Sequence, residues 1–398
     1  MSADATPVAP GIDAGELAEA ACERAGLRDL GDASYRDGLD MLVDGLHTEA
    51  RLSELGTAIT PDNLVGYLTN RLQVVHWHRE NPDVAATDIG PIVVMIGMGR
   101  TGTTILHDLL GQDPANRVPL TWEVDRPVPP PETATYDTDP RIAEVQAGID
   151  LGHAARPEMQ AMHPTGAQLA QECVRITGCD FKSVIFGSQY HLPTYVRWVT
   201  TRADMAPAYR LHRRYLQLLG RHHRGDRWVV KSGAHLWALP ALQAEYPDAR
   251  YIQTHRDPVK VVASLSSLFA YLSAIFSDEV TIADVAPLWA EVILDALDRS
   301  VTAREDGSIP ADRVVDVQFD ALMADHFGSI RKIYESWGVE YTPHAEARMR
   351  QFLDDHGREK HGIHHYTFAD TGLAEGEIRE RSRRYTEYFD VPVEQKRR

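Results

Sequence analysis

The stretch Val93 to Leu110, VVMIGMGRTGTTILHDLL, runs from an unbroken apolar segment, through a glycine-rich turn holding one arginine, into a helical pattern. The apolar segment, PIVVMI from Pro91, suits a parallel strand covered on both faces. A strand, a glycine turn and a helix aim free backbone N–H groups and the positive end of the helix dipole at one point, where phosphate or sulfate is stabilised. The turn therefore reads as an anion site.

Three motifs fit it. Gly97-x-Gly99-x-x-Gly102 matches the dinucleotide fingerprint, and Glu123 stands about 20 residues further on, where that fingerprint places an acid for the ribose. An NAD(P)-dependent dehydrogenase is thus one reading. Gly97 and Gly102 also have the outer spacing of the nucleoside-triphosphate loop, but Thr103 stands where that loop needs its lysine. The third reading uses Arg100 as a fixed cation, with Thr101, Thr103 and Thr104 supplying hydroxyls around Gly102. That cradle would also serve a nucleotide-binding module without catalysis.

Working outward, RWVVK (227–231), YIQTH (251–255) and RVVDVQF (313–319) read as further strands, followed by helices from His235, from Pro258 and from about Asp320. This alternation predicts an α/β fold in three layers, a central mostly parallel sheet with helices on both faces. From Ala14 to about Glu80 the pattern is helical in three pieces, the last opening with Thr60 as N-cap and Pro61 at the first helical position. We expect a helical N-terminal extension over residues 1–88 and a main domain over 89–398. Proline-rich Pro127–Pro140 reads as a surface loop, and the helical patterns of about 140–219 as an insertion on the acceptor side.

The 398 residues are 43% apolar and 25% charged, as in soluble globular proteins. A net charge of −17 argues against nucleic acid or anionic lipid as partner, so an anion must be captured locally. Cys22, Cys173 and Cys179 form neither a zinc spacing nor a disulfide framework, which fits buried thiols in a reducing compartment. The start, MSADATPVAPGIDAGE, lacks a secretory pattern, and the uncharged run Val261–Phe276 is short and serine-interrupted, a buried helix rather than a transmembrane span. A cytoplasmic location is expected. HGIHH (361–365) and His222–His223 lack the carboxylates or cysteines of a metal site and read as solvated loops.

Arg100-Thr101-Gly102-Thr103-Thr104 resembles the 5′-phosphosulfate loop of the sulfotransferase family, and the likeness runs from about residue 90 to 340, with a weaker echo in GLAEGEIRERSRRYTEYF (372–389). The resemblance implies the family's P-loop-like fold, 3′-phosphoadenylyl sulfate (PAPS) as co-substrate and no metal. It also implies a second turn for the 3′-phosphate, with Arg256 and, eight residues later, Ser264. Physically, Asp257 can cap the next helix, Pro258 suits its first turn, and Arg256 offers a planar fork. The asparagine and Asp-Phe-Gly that would make His255-Arg256-Asp257 a kinase loop are missing. Lys231 takes the place of the family's lysine at the sulfuryl group. Three departures stand out: Gly233 where bacterial members commonly have proline, Phe319-Asp320-Ala321-Leu322 in place of Tyr-Glu-Asp-Leu, and no Arg-Lys-Gly adenine segment, which leaves Arg358 and Lys360 as adenine candidates.

Sulfuryl transfer, like phosphoryl transfer, is loose and in line, so the protein must chiefly position groups and stabilise charge, a task for Arg100 and Lys231. The acceptor hydroxyl needs a base within reach. The resemblance offers Glu123, where tyrosylprotein and heparan-type members keep a glutamate, and His235, four residues after Lys231, close to the histidine of cytosolic members. The loop arginine, shared with tyrosylprotein members, favours Glu123. The plainer readings are a carboxylate paired with Arg126 and a helix-start histidine bonded to backbone. Phe181, Phe186, Tyr190, Tyr195 and Trp198 point to a small acceptor with apolar surface and a hydroxyl, unless these aromatics are core.

Overall fold

Strands β1 (Ile92–Met95), β2 (Asn116–Arg117), β3 (Arg227–Lys231), β4 (Arg250–His255) and β5 (Val314–Gln318) form one parallel sheet in the order β2-β3-β1-β4-β5. They belong to a computed structural model that describes residues 11–158, 165–356 and 366–394. Met95 pairs with Lys231 on one side and Ile252 on the other, so β1 and β3 end level while β4 runs three residues further, to His255, and the turns after all three lie at the same edge of the sheet. In open α/β sheets that carboxyl edge is where ligands bind. The three strands read from RWVVK, YIQTH and RVVDVQF lie where the sequence placed them, within a residue at each end. The edge strand β2 escaped, because two polar residues carry no periodicity.

Alternate residues of β1 serve two cores. Ile92 and Val94 join a large cluster with the N-terminal helices, while Val93 and Met95 join a second one with Leu106, Leu110, Ile330 and Trp337. The unbroken apolar run is thus explained by burial on both faces. Three helices precede β1: α1 (Ala14–Ala25), α2 (Tyr35–Thr48) and α3 (Glu54–Glu80). The last is capped seven residues before the expected Thr60, by Ser53, whose hydroxyl accepts from Gly56 N at 2.9 Å, and Pro61 lies inside the helix. The interior proline removes one helical hydrogen bond; the helix continues because its first turn is wedged against residue 276, where a Cβ on Gly56 would meet Phe276 O at 1.7 Å. These helices share one core with the rest of the chain, from Leu17 to Val391.

After β1 come α4 (Thr103–Leu110), the short α5 (Thr121–Asp125) and α6 (Pro140–Ala155), then four helices between Cys173 and Leu219. Phe181, Phe186 and Tyr195 are fully buried there and pack on one another and on Tyr67, and buried Tyr190 packs on Phe276, so these rings fill core and do not line a cleft; Trp198 packs at their edge. Beyond β3 the chain makes a 3-10 turn, Gly233–Trp237, before the helix Leu239–Glu245, where a helix from His235 was expected. The run from Val261 does form a buried helix, Pro258–Ser273. Cys22, Cys173 and Cys179 are free and buried. Among the described residues no helix is long and apolar enough to cross a membrane, and no group of three or more His, Cys, Asp or Glu could hold a metal ion. The histidines of 361–365, Arg358 and Lys360 lie outside the described residues.

Candidate active site

The turn after β1 is held open by its glycines. Gly102 is the N-cap of α4 at φ 90°, and no side chain among the described residues caps the helix, so its first N–H groups stay open at the end of the sheet. A Cβ at Gly97 would stand 1.8 Å from Thr254 Oγ1, so only glycine lets this turn lie against β4. Thr101 is buried and its hydroxyl lies 2.5 Å from both Met98 O and Thr254 Oγ1, which makes it a brace inside the turn. Thr103 is also buried, whereas Thr104 Oγ1 accepts from Lys231 Nζ at 3.2 Å.

The turn after β4 touches the first one. Arg256 Nη1 donates to Arg100 O at 2.8 Å, and Arg100 Nε donates to Ser264 Oγ at 2.9 Å. The structure therefore brings Arg100, Arg256 and Ser264 together, residues that the sequence could pair only through resemblance. Phe319 joins them. Its ring lies 3.9 Å from the Arg256 guanidinium, and a Cβ on Gly102 would meet it at 3.4 Å, so the residue that lacks the family's hydroxyl instead stacks a face between the turns. Asp257 caps the helix Pro258–Ser273 as expected, accepting from Val259 N at 3.0 Å.

Lys231, only 2% exposed at the end of β3, donates to Thr104 and, at 2.6 Å, to Glu172 Oε1. Glu172 stands just before the helix Cys173–Thr177 with 27% of its side chain exposed, so its carboxylate sits beside the lysine and still reaches the surface of the site. Asp108, one helical turn beyond Thr104, also feels the lysine; burial pushes its carboxyl up to about 7 against the pull of the Lys231 charge. Sequence reading missed both acids. Helical spacing from Thr104 could have found Asp108. Nothing in QLAQECVRI signals Glu172, whose partner is 59 residues away.

The two expected bases are placed differently. Glu123 is 0% exposed in α5, with both oxygens on the Arg117 guanidinium and Oε2 accepting from Leu120 N at 2.9 Å. Its partner is thus Arg117, not Arg126, which pairs with Glu144. His235 is buried, its Nδ1 2.7 Å from Tyr209 Oη and its Nε2 without a hydrogen-bond partner among the described residues. Burial, helped by the His212 charge, drives its imidazole down to about 3, so protonation there is disfavoured. His235, Tyr209, Cys173, Met205 and Trp237 line a narrow, largely apolar cleft that also includes Ser232, next to Lys231. Burial holds the Cys173 thiol up near 12, so it is a wall and not a nucleophile.

A parallel sheet whose β1 lies between β3 and β4, flanked by helices, with a glycine turn after β1 and a lysine at the end of β3, defines an α/β fold with a candidate anion turn at its carboxyl edge. It is not the dinucleotide fold, in which the first two strands are neighbours and the ribose acid ends the second strand, whereas Glu123 lies in a helix. Residues 91–343 match the sequence model of the sulfotransferase family, and the chain belongs to that family. The resemblance read over about 90–340 is borne out. The chain is 24% identical, over 308 residues spanning 75% of it and 76% of the relative, to the omega-hydroxy-beta-dihydromenaquinone-9 sulfotransferase Stf3 of Mycobacterium tuberculosis. Its structure is similar to that of sulfotransferase STF9 from Mycobacterium avium (TM-score 0.89, 29% identity, 99% of this chain and 100% of the other). It is also similar to STF1 from Mycobacterium tuberculosis H37Rv (TM-score 0.83, 31% identity, 94% and 99%).

Proposed function

We propose that the enzyme moves a sulfuryl group from PAPS to the hydroxyl of an acceptor with a substantial apolar body. The observation that carries this reading is the cluster Lys231–Thr104–Glu172, which sits between the uncapped turn and the apolar cleft. The residues present suit such a donor. The open N–H groups of the first turn offer an anion cradle, Arg100, Arg256 and Ser264 offer a second grip in contact with it, and Phe319 supplies an aromatic face. When bound, PAPS would supply an activated sulfuryl group and a bisphosphate leaving group.

Lys231 Nζ is the cation in position to offset the negative charge that grows on the leaving oxygen, with Arg100 beside the turn. Glu172 is the base we favour over Glu123 and His235. Its carboxylate holds the lysine and the next residue, Cys173, lines the cleft, whereas Glu123 is fully engaged with Arg117 and the imidazole of His235 resists a proton. When Lys231 turns toward a bound anion, Glu172 loses its counter-charge and gains basicity. The acceptor oxygen then bonds to sulfur, its proton passes to Glu172, and the bond from sulfur to the leaving oxygen breaks. That Stf3 is an omega-hydroxy-beta-dihydromenaquinone-9 sulfotransferase supports an apolar alcohol as acceptor.

Calorimetric titration with adenosine 3′,5′-bisphosphate against NAD tests the donor site; tight binding of NAD alone would refute it. Transfer of labelled sulfate from PAPS to a panel of phenols and apolar alcohols tests the reaction. Glu172→Gln should lower kcat about 10²–10⁴-fold, the usual worth of a general base. A greater loss in Glu123→Gln, with its thermal stability intact, would move the role back to Glu123.

A further inference from the structure

Resting on the reading of Arg256 as a phosphate grip, we propose that residues 390–394 form a displaceable latch, in which the carboxylate of Glu394 occupies the arginine that the donor's 3′-phosphate would use. Arg256 Nε and Nη2 each meet a separate oxygen of Glu394, at 2.6 and 3.1 Å, the two-pronged geometry by which arginine also holds phosphate. Its third nitrogen is on Arg100 O, and Phe319 covers the guanidinium face. With the two side chains only 17% and 19% exposed, a phosphate cannot take the fork while the carboxylate stays in it.

The way the segment is tethered suits release. Val391 is its last buried residue, anchored by its N–H on Thr386 O, behind Phe389, whose ring stacks 4.3 Å from His255. Past that anchor Val393 is 62% exposed. Among the described residues, Glu394 is held by its ion pair and by its own N–H, which donates to Asp257 Oδ2 at 2.9 Å. Both contacts lie on the second turn, so a ligand that takes Arg256 removes the charge that keeps Glu394 there. A doubly charged phosphate replaces a singly charged carboxylate, and the exchange favours the nucleotide while discriminating against anions too weak to displace the segment. Binding of a 3′-phosphorylated nucleotide and opening of the segment are then one coupled equilibrium.

The test is titration of the full-length protein with adenosine 3′,5′-bisphosphate and with adenosine 5′-monophosphate, for wild type, Glu394→Gln and Arg256→Ala. A latch closed about nine-tenths of the time weakens apparent affinity about ten-fold, so Glu394→Gln should bind the bisphosphate up to that much tighter and the monophosphate unchanged. Arg256→Ala should abolish the preference for the bisphosphate. In wild type, the amide of residue 394 should exchange hydrogen faster with the bisphosphate bound and not with the monophosphate. Unchanged or weaker bisphosphate binding in Glu394→Gln overturns the latch and makes Glu394 a positioning partner of Arg256. Equal binding of the two nucleotides by wild-type and Glu394→Gln protein overturns instead the reading of Arg256 as the 3′-phosphate site, and the latch with it.

Discussion

Two strand-to-helix turns lie side by side at the carboxyl edge of the sheet, after β1 and after β4, and they are built in opposite ways. The first ends on Gly102 at positive φ with no side-chain cap, so the dipole and N–H groups of α4 stay available to an outside anion. The second ends on Asp257, which is 2% exposed, accepts from Val259 N and carries Arg379 at 3.3 Å. There the chain supplies its own anion to the helix, and anything bound from outside must be gripped by a side chain, Arg256. An open backbone turn gives geometry tight enough for chemistry, while a closed turn with a projecting arginine gives affinity. The carboxylate of Glu394 on Arg256 fits the second description and has no counterpart on the glycine turn.

This contrast can be broken from either side. Between the two turns, the larger effect is expected at Lys231, which serves the first: Lys231→Met should lower kcat about 10²–10³-fold, as loss of a charge-stabilising donor does, with adenosine 3′,5′-bisphosphate affinity little changed by calorimetry. Next, Arg256→Ala should raise the KM for donor about 10–100-fold, the worth of about 1.5–3 kcal/mol for a charge-assisted grip, with kcat at saturation unchanged. A fall in kcat as large as that of Lys231→Met would merge the two roles. Gly102→Ala, which forces a side chain onto φ 90° and against Leu322 Cδ2 at 2.9 Å, should cost about 1–3 kcal/mol in denaturant unfolding and weaken bisphosphate binding.

The smallest effect concerns the helix behind the first turn. Asp108 ionises near 3.8 when unfolded and near 7 when folded, so between those values the folded state holds the proton more tightly, and stability falls as pH rises through the window. Asp108→Asn should therefore match wild type near pH 4 and melt higher near pH 8. Equal melting temperatures at both would show that burial does not raise the Asp108 carboxyl in the folded protein.

Much of this was legible in local sequence. The apolar run of β1, the glycines of its turn and the Asp257-Pro258 start announce themselves because strand burial, positive φ and helix capping are set within a few residues. Thr60 and Pro61 misled for the complementary reason. They carry a good start signal, but Ser53 carries one too, and packing of Gly56 against Phe276 decided between them. Glu123 shows the same limit: its distance from Gly102 suits two different motifs, and only the fold revealed that Arg117 had claimed it.

The sequence by itself determined a parallel α/β sheet with a glycine turn after β1 and an Arg256-Asp257-Pro258 turn after β4, since backbone conformation and periodic burial are written in neighbouring residues. Tertiary structure alone decided which charges meet: Glu172 with Lys231 across 59 positions, Glu394 with Arg256 across 138, and Phe319 stacked between the turns. Ionic and ring contacts depend on distance in space, and the chain encodes that distance only after the strands have taken their order in the sheet.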